Sequence, residues 1–293
     1  MPVHESTTSP FVDPRPSANR QPRRRRDARR ALDHVVRVSL DGIASDVPRV
    51  LFTPMSDSIS DEQARIYFER AREYDALIAA EDADGNVVKH LASRLPLDGA
   101  RLADVGAGTG RLACLLGSRV SQVHLSDRAG PMLEVARDKL QKAGLADKAT
   151  FEVADARELR LADASVDVAA AGWVFGHFRH WMPEGWRHEV DAALAQMERV
   201  VVPGGHVVIL ETLGTGHETP RTHEGLDEYF AHLESAHGFE RTWFRTDYVF
   251  ADVDTAARVL GEFFGDALVA KIRAASWSRV PECTGLWIKR KPA

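Results

Sequence analysis

The chain has 293 residues, 44% of them hydrophobic, and a formal net charge of −5. This composition suits one large domain with its own core, and the mild acidity disfavours a general nucleic-acid binder. No apolar stretch reaches the roughly 18–20 residues of a membrane helix, and two distant cysteines, Cys114 and Cys283, exclude a disulfide framework and point to a reducing, cytoplasmic setting.

Residues 1–54 are rich in Pro, Ser and Arg, with a basic cluster over 23–26 and at Arg29 and Arg30. They read as a disordered extension, a solvated tail rather than a nucleic-acid arm. Met55 then opens a single domain that runs to residue 293. "SDEQARIYFERAREYDALIAAED" predicts a leading helix with Ser60 or Asp61 at its start, and "DADGNVVKHLASRL" a turn and a second helix, together an N-terminal helical cap. Strands and helices then alternate. "RLADVG", "VSQVHLSD", "ATFEVAD", "VDVAAAGWVF" and "GGHVVILETL" read as strands, and "GRLACLLGSR", "GPMLEVARDKLQKAG" and "HEVDAALAQMERVV" as helices. That alternation predicts βαβ units and a parallel sheet covered on both faces. Towards the end, "RTWFRTDYVF" alternates like a strand, "DTAARVLGEFFGDALVAKIRAASW" is helical and "CTGLWIKRK" closes as a strand. The expectation is an α/β doubly wound, mostly parallel sheet of seven strands whose C-terminal strand runs antiparallel.

The motif with most chemical content is "LADVGAGTGRLACLLG". Gly106, Gly108 and Gly110 follow a strand and open a helix, so a ligand can approach the backbone closely there. An acid at the tip of the next strand, Asp127, suits two ribose hydroxyls. Arg111 stands where the dinucleotide fingerprint wants a third glycine, and no Lys-Ser or Lys-Thr follows the loop as a phosphate cradle requires. S-adenosylmethionine, zwitterionic and carrying a sulfonium, is the ligand that remains.

These residues, with "SDRAGPMLEVAR", "VADARELRLADASVDVAAAGWVF" and "LAQMERVVVPGGHVVIL", resemble the class I S-adenosylmethionine-dependent methyltransferases, most closely their small-molecule-modifying group. The resemblance covers roughly residues 60–290. It implies a Rossmann-like fold and S-adenosylmethionine as cofactor. It implies that Gly106, Gly108 and Gly110 border the methionine moiety with Asp104 near its amino group, and that Asp127 holds the ribose. Arg128 would flank the adenine, Asp155 would face its amino group and Ala156 would lie beside the ring. Tyr67 and Tyr74 would lie over the cofactor from the leading helix, and Trp173 would stack on cofactor or acceptor.

Methyl transfer from a sulfonium is an in-line displacement, so positioning supplies much of the acceleration and a base is needed only for a protonated acceptor. His177 after the fourth strand and Glu211 at the end of the fifth are the candidate catalytic residues. The segments "FRHWMPEGWRHEV", with Trp181 and Trp186, and "GTGHETPRTHEGLDEYFAHLESAHGFE", with Arg221 near its start, are longer than ordinary connections and are expected to form the acceptor pocket. Eight of the twelve histidines fall between His177 and His237, but only His177 and His180 are close and no H-E-x-x-H accompanies them, so no metal is expected. The sequence reading is a methyltransferase acting on oxygen or nitrogen of a small metabolite. Its rivals are an RNA- or protein-modifying methyltransferase using the basic tail and a non-catalytic S-adenosylmethionine-binding protein. Oligomeric state is not encoded legibly.

Overall fold

The computed structural model describes residues 69–222 and 225–293. The predicted extension over 1–54, the helix start at Ser60 or Asp61, and Tyr67 lie outside the described residues. Two helices lead, α1 (Ala71–Ile78) and α2 (Asn86–Ala92). The alternating region follows: β1 (Arg101–Val105), α3 (Arg111–Leu116), β2 (Gln122–Asp127), α4 (Gly130–Lys142), β3 (Ala149–Val153), β4 (Val166–Gly172), α5 (Gly176–Trp181), α6 (Trp186–Val200) and β5 (Val201–Thr215). The C-terminal part holds α7 (Asp227–Ser235), β6 (Glu240–Arg245), β7 (Tyr248–Val249), α8 (Val253–Phe264), α9 (Asp266–Ala275), β8 (Arg279–Val280) and β9 (Glu282–Arg290).

Seven strands form one sheet in the order β3-β2-β1-β4-β5-β9-β6. The first five are parallel, and β9 runs antiparallel to both β5 and β6. The apolar strands bury residues on both faces. One core gathers Val105, Ala169, Val207, Ile209 and Trp287 under α6 and α7; the other gathers Leu102, Leu125, Val168, Val208 and Leu286 under α2, α3 and α4. This is why the central strands read as continuous apolar runs rather than as alternating ones. Among the described residues, no helix is long and apolar enough to cross a membrane.

The largest departures from the sequence reading are four, beyond shifts of one to three residues at several element ends. The fourth strand stops at Gly172, and Trp173 enters the left-handed region at φ +58°, so "WVF" is a turn. Pro203-Gly204-Gly205 is absorbed into β5 as an irregularity: β4 pairs Val166 with Val201 and then Val168 with His206. "RTWFRTDYVF" breaks at Thr246, which bonds to β9 through both its N–H and its hydroxyl, while β7 leaves to form a two-stranded ribbon with β8. The long C-terminal helix is two helices, because Gly265 at φ +79° ends one and begins the next.

Candidate active site

A parallel sheet directs the tips of all its strands to one edge, and ligands of open α/β sheets bind there. In this chain that edge holds a cavity of about 800 Å3, within the range of small-molecule sites. Gly106 and Gly108 reach it after β1, Asp127 at the end of β2, Asp155 and Ala156 after β3, Trp173 and His177 after β4, and Glu211 from β5. Because β9 runs the opposite way, its first residue, Glu282, pairs with Thr215 and lies at the same edge. Tyr74 and Glu81 come from α1 and the turn beyond it, and Tyr248, Phe263 and Phe264 from the C-terminal part.

The glycine loop is strapped to β2. Ala107 N–H donates to Ser126 O at 2.9 Å, and Gly108 N–H to Asp127 Oδ2 at 2.8 Å. Asp127 Oδ1 accepts Ala129 N–H at 2.7 Å. Burial raises the Asp127 carboxyl above its usual value, with these two N–H groups opposing the rise. Gly106 has φ +66° and a side chain there would run into Val174 at 2.6 Å, whereas Gly108, at φ +53°, has open space on that side.

Ten of the sequence-predicted residues border this one cavity: Tyr74, Gly106, Gly108, Asp127, Arg128, Asp155, Ala156, Trp173, His177 and Glu211. Two do not. Asp104 turns into the protein, where its Oδ2 accepts Ala113 N–H at 3.1 Å and burial pushes its carboxyl up to about 7. Gly110 begins α3 at φ +73°, and its Cβ would lie 2.9 Å from Ala136 Cβ, so its role is the close approach of α3 to α4. Asp155 reaches the cavity wall, but its carboxylate is forked by Arg157, at 2.8 and 2.7 Å, and Arg157 also holds Glu189. That pairing keeps Asp155 below the usual carboxylate range despite its partial burial.

His177, near the start of α5, stacks on Trp181 with ring centroids 4.8 Å apart. Burial, with His180 adding to it, pushes the imidazole down to about 4, so it is neutral near pH 7 and a weaker base than a solvated histidine. Glu211 is only 4% exposed. Its Oε1 accepts Gly176 N–H at 2.9 Å and Tyr229 Oη–H at 3.2 Å. Burial lifts it to about 7 against those bonds. Glu211 therefore tethers the turn that carries His177 to β5 while it lines the cavity.

The two long segments contribute unequally. Trp181 lines the cavity, but Trp186 is 1% exposed in the core, edge-on to Tyr229. From the segment after β5, Gly225 and Leu226 reach the cavity, whereas Arg221 faces His217 on the surface.

Sequence reasoning missed the polar cluster at the Tyr248 side. Arg111 Nη1 donates to Glu81 Oε2 at 2.7 Å, with side chains 13% and 4% exposed, and the guanidinium lies 4.1 Å over the Trp173 ring. Glu282 Oε1 accepts Thr212 Oγ1–H at 2.6 Å, and burial, with Glu81 adding, lifts Glu282 to about 8. Arg111 Nη2, Thr109 Oγ1 and Glu282 Oε2 have no hydrogen-bond partner among the described residues. Buried charges with unmet bonds are costly to keep, which marks the cluster as a ligand-facing candidate. Only a charged residue in an apolar setting, as in "VPECTGLW", signalled it in the sequence.

Comparison with known proteins agrees with the geometry. Residues 103–209 match a family described as a methyltransferase domain. The chain is 34% identical over 176 residues to a 27-O-demethylrifamycin SV methyltransferase of Amycolatopsis mediterranei, a match covering 53% of this chain and 60% of the relative. It is 30% identical over 174 residues to the methyltransferase GfsG of Streptomyces halstedii, covering 53% and 59%. It is 36% identical over 118 residues to a ubiquinone/menaquinone biosynthesis C-methyltransferase of Idiomarina loihiensis, covering 39% and 43%. The chain thus spans less than two thirds of each of these relatives. The segment that matches a methyltransferase domain runs from β1 into β5, the stretch that supplies the glycine loop and the strand tips around the cavity.

Proposed function

We propose that this chain transfers a methyl group from S-adenosylmethionine to oxygen or nitrogen of a small-molecule acceptor. The observation that carries the reading is one cavity joining the strapped glycine loop and Asp127 to the neutral imidazole of His177. The residues fit the cofactor. A Cβ on Gly108 would meet nothing, so that side of the loop is open to a ligand, and Arg111 Nη2 and Thr109 Oγ1 are unpartnered donors suited to a carboxylate. When bound, S-adenosylmethionine supplies a methyl group already activated by its sulfonium.

Asp127 holds the ribose through the lone pairs its two N–H donors leave open. Arg128 and Ala156 flank the adenine, and Asp155, fixed by Arg157, orients that wall. Tyr74 covers the cavity from α1, and Trp173, under the Arg111 guanidinium, forms a flat surface next to the loop. His177 takes the acceptor's proton as the new bond forms, and Glu211 keeps its turn in register. Asp104 and Gly110 support the loop from behind.

The relatives named for small molecules favour a small acceptor, and a mostly apolar cavity wall with Trp181, Leu226 and Phe263 favours an acceptor with an apolar body. A screen with methyl-labelled S-adenosylmethionine against hydroxylated and amino-bearing metabolites tests this. Label transferred to a small product, and lost in His177→Ala, is expected. Label found only in protein or RNA would refute the proposal.

A further inference from the structure

Away from the cavity, α6 and α7 pack together and bring three side chains to one point. Asp191 on α6 presents Oδ1, which accepts from Nε2 of His232 and Nε2 of His237, each at 2.7 Å. His232 lies in the last turn of α7 and its ring sits edge-on to Trp186 of α6, 5.5 Å between centroids. His237 is placed by the turn that ends α7. Gly238, at φ +71°, donates to Glu234 O at 3.2 Å and Phe239 N–H to Leu233 O at 3.1 Å, a glycine-terminated helix end that folds the chain back on itself. The two imidazoles therefore meet at a ring distance of 5.0 Å, each turning Nε2 to the same carboxylate oxygen.

We propose that Asp191, His232 and His237 form a binding site for a divalent transition-metal ion, Zn2+ in the first instance. The three ligand atoms all lie within 4.8 Å of one another. A tetrahedral Zn2+ with bonds of about 2.0–2.2 Å separates its ligands by about 3.4 Å, so sub-ångström shifts of these side chains admit the ion. Two imidazoles and a carboxylate are the donor set that Zn2+ and its late first-row neighbours prefer over Mg2+ or Ca2+. The Asp191 side chain is 47% exposed and the histidines 15% and 19%, so the ion enters from solvent and water completes its shell. A bound ion cross-links α6 to α7, and α7 carries Tyr229, whose hydroxyl bonds Glu211 on the cavity wall. The site braces that wall without touching the acceptor. Its ligands stand 41 and 46 residues apart in sequence, which is why no spacing motif announces it.

The test is calorimetric titration of the untagged, chelator-treated full chain with ZnCl2, alongside Asp191→Asn, His232→Gln and His237→Gln. One Zn2+ per chain and a raised melting temperature are expected for the wild type. Loss of a ligand should cost at least what loss of a supporting partner costs, so each variant weakens binding about tenfold or more. His237→Gln lies outside the helix and removes a ligand with least risk to folding. Co2+ in place of Zn2+ should give the visible spectrum of a histidine-bound ion in the wild type. No saturable Zn2+ binding by the wild type would overturn the proposal. So would variants that bind like it, or a Co2+ spectrum of the hydrated ion alone.

Discussion

Asp104 and Asp127 lie near the ends of neighbouring parallel strands and do different work. Asp104 turns inward to Ala113, while Asp127 lines the cavity and holds the loop beside it. Both were legible as strand-tip acids. Which way each side chain turns depends on the helix that follows, and local sequence does not specify that. His177 and Glu211 divide in the same manner. A general base contributes roughly 10²–10⁴-fold, so His177→Ala should lower kcat about a hundredfold while the affinity for S-adenosylhomocysteine stays within about threefold. Because His177 is held near 4, the pH–rate profile should show no His177 inflection near 6.5. A kcat that falls with an apparent pKa near 6.5, and loses that dependence in His177→Ala, would show that the imidazole keeps its ordinary pKa. Glu211 makes a stability prediction. Its folded pKa of about 7 exceeds the ordinary 4.5, so the folded state retains a proton that the unfolded state releases. Stability is therefore lost as pH rises from 4.5 through about 7 and levels above. Glu211→Gln removes that titration, so urea melts should show the variant gaining on the wild type between pH 5 and 8. A constant difference across that window would mean Glu211 is ionised throughout.

The elements were most legible where sequence and space coincide. β2 ended as read at Asp127, and β1 and β3 ended within two residues of the reading, because Gly or Asp bounds each apolar run at its cavity end. The misread boundaries fell where tertiary bonds override a local pattern. Trp173 leaves the strand, with its N–H on Leu210 O at 2.6 Å and its ring under Arg111, and Thr246 is taken by β9. A left-handed conformation at a non-glycine residue costs roughly 1–3 kcal/mol, so Trp173→Gly should relieve that strain while removing the ring beside the loop. The glycine loop gives a sharper contrast. Gly110→Ala pushes Cβ against Ala136 and should lower stability by about 1–3 kcal/mol in denaturant melts. Gly108→Ala meets no protein atom, pays only the strain of its positive φ and projects a methyl from the open side of the loop. It should impair cofactor affinity more than Gly110→Ala does. The reverse order in calorimetry would place the ligand on the wrong side of the loop.

At the scale of the whole molecule, reversing β9 sets Glu282 at the same edge as the tips of the parallel strands. With Glu81 and Arg111 it makes a polar end to the cavity from residues 30 and 171 positions apart. No window of sequence holds these three together, whereas the glycine loop is a single local run. This explains why the glycine loop was readable and the polar end of the cavity was not. Removing one partner of a buried ion pair costs roughly 3–5 kcal/mol. Arg111→Leu should therefore destabilise the fold by about that amount, and adding Glu81→Leu should restore part of it. A double variant less stable than the single would mean that Glu81 has another compensating partner.

The central claim is that the cavity holds S-adenosylmethionine with Asp127 on the ribose. Its most direct test is calorimetric titration of the wild type and Asp127→Ala with S-adenosylhomocysteine. The account predicts one site in the wild type and a loss of about 2 kcal/mol or more in the variant, roughly thirtyfold in Kd. Equal affinity in the two proteins, or no binding by the wild type, would contradict it.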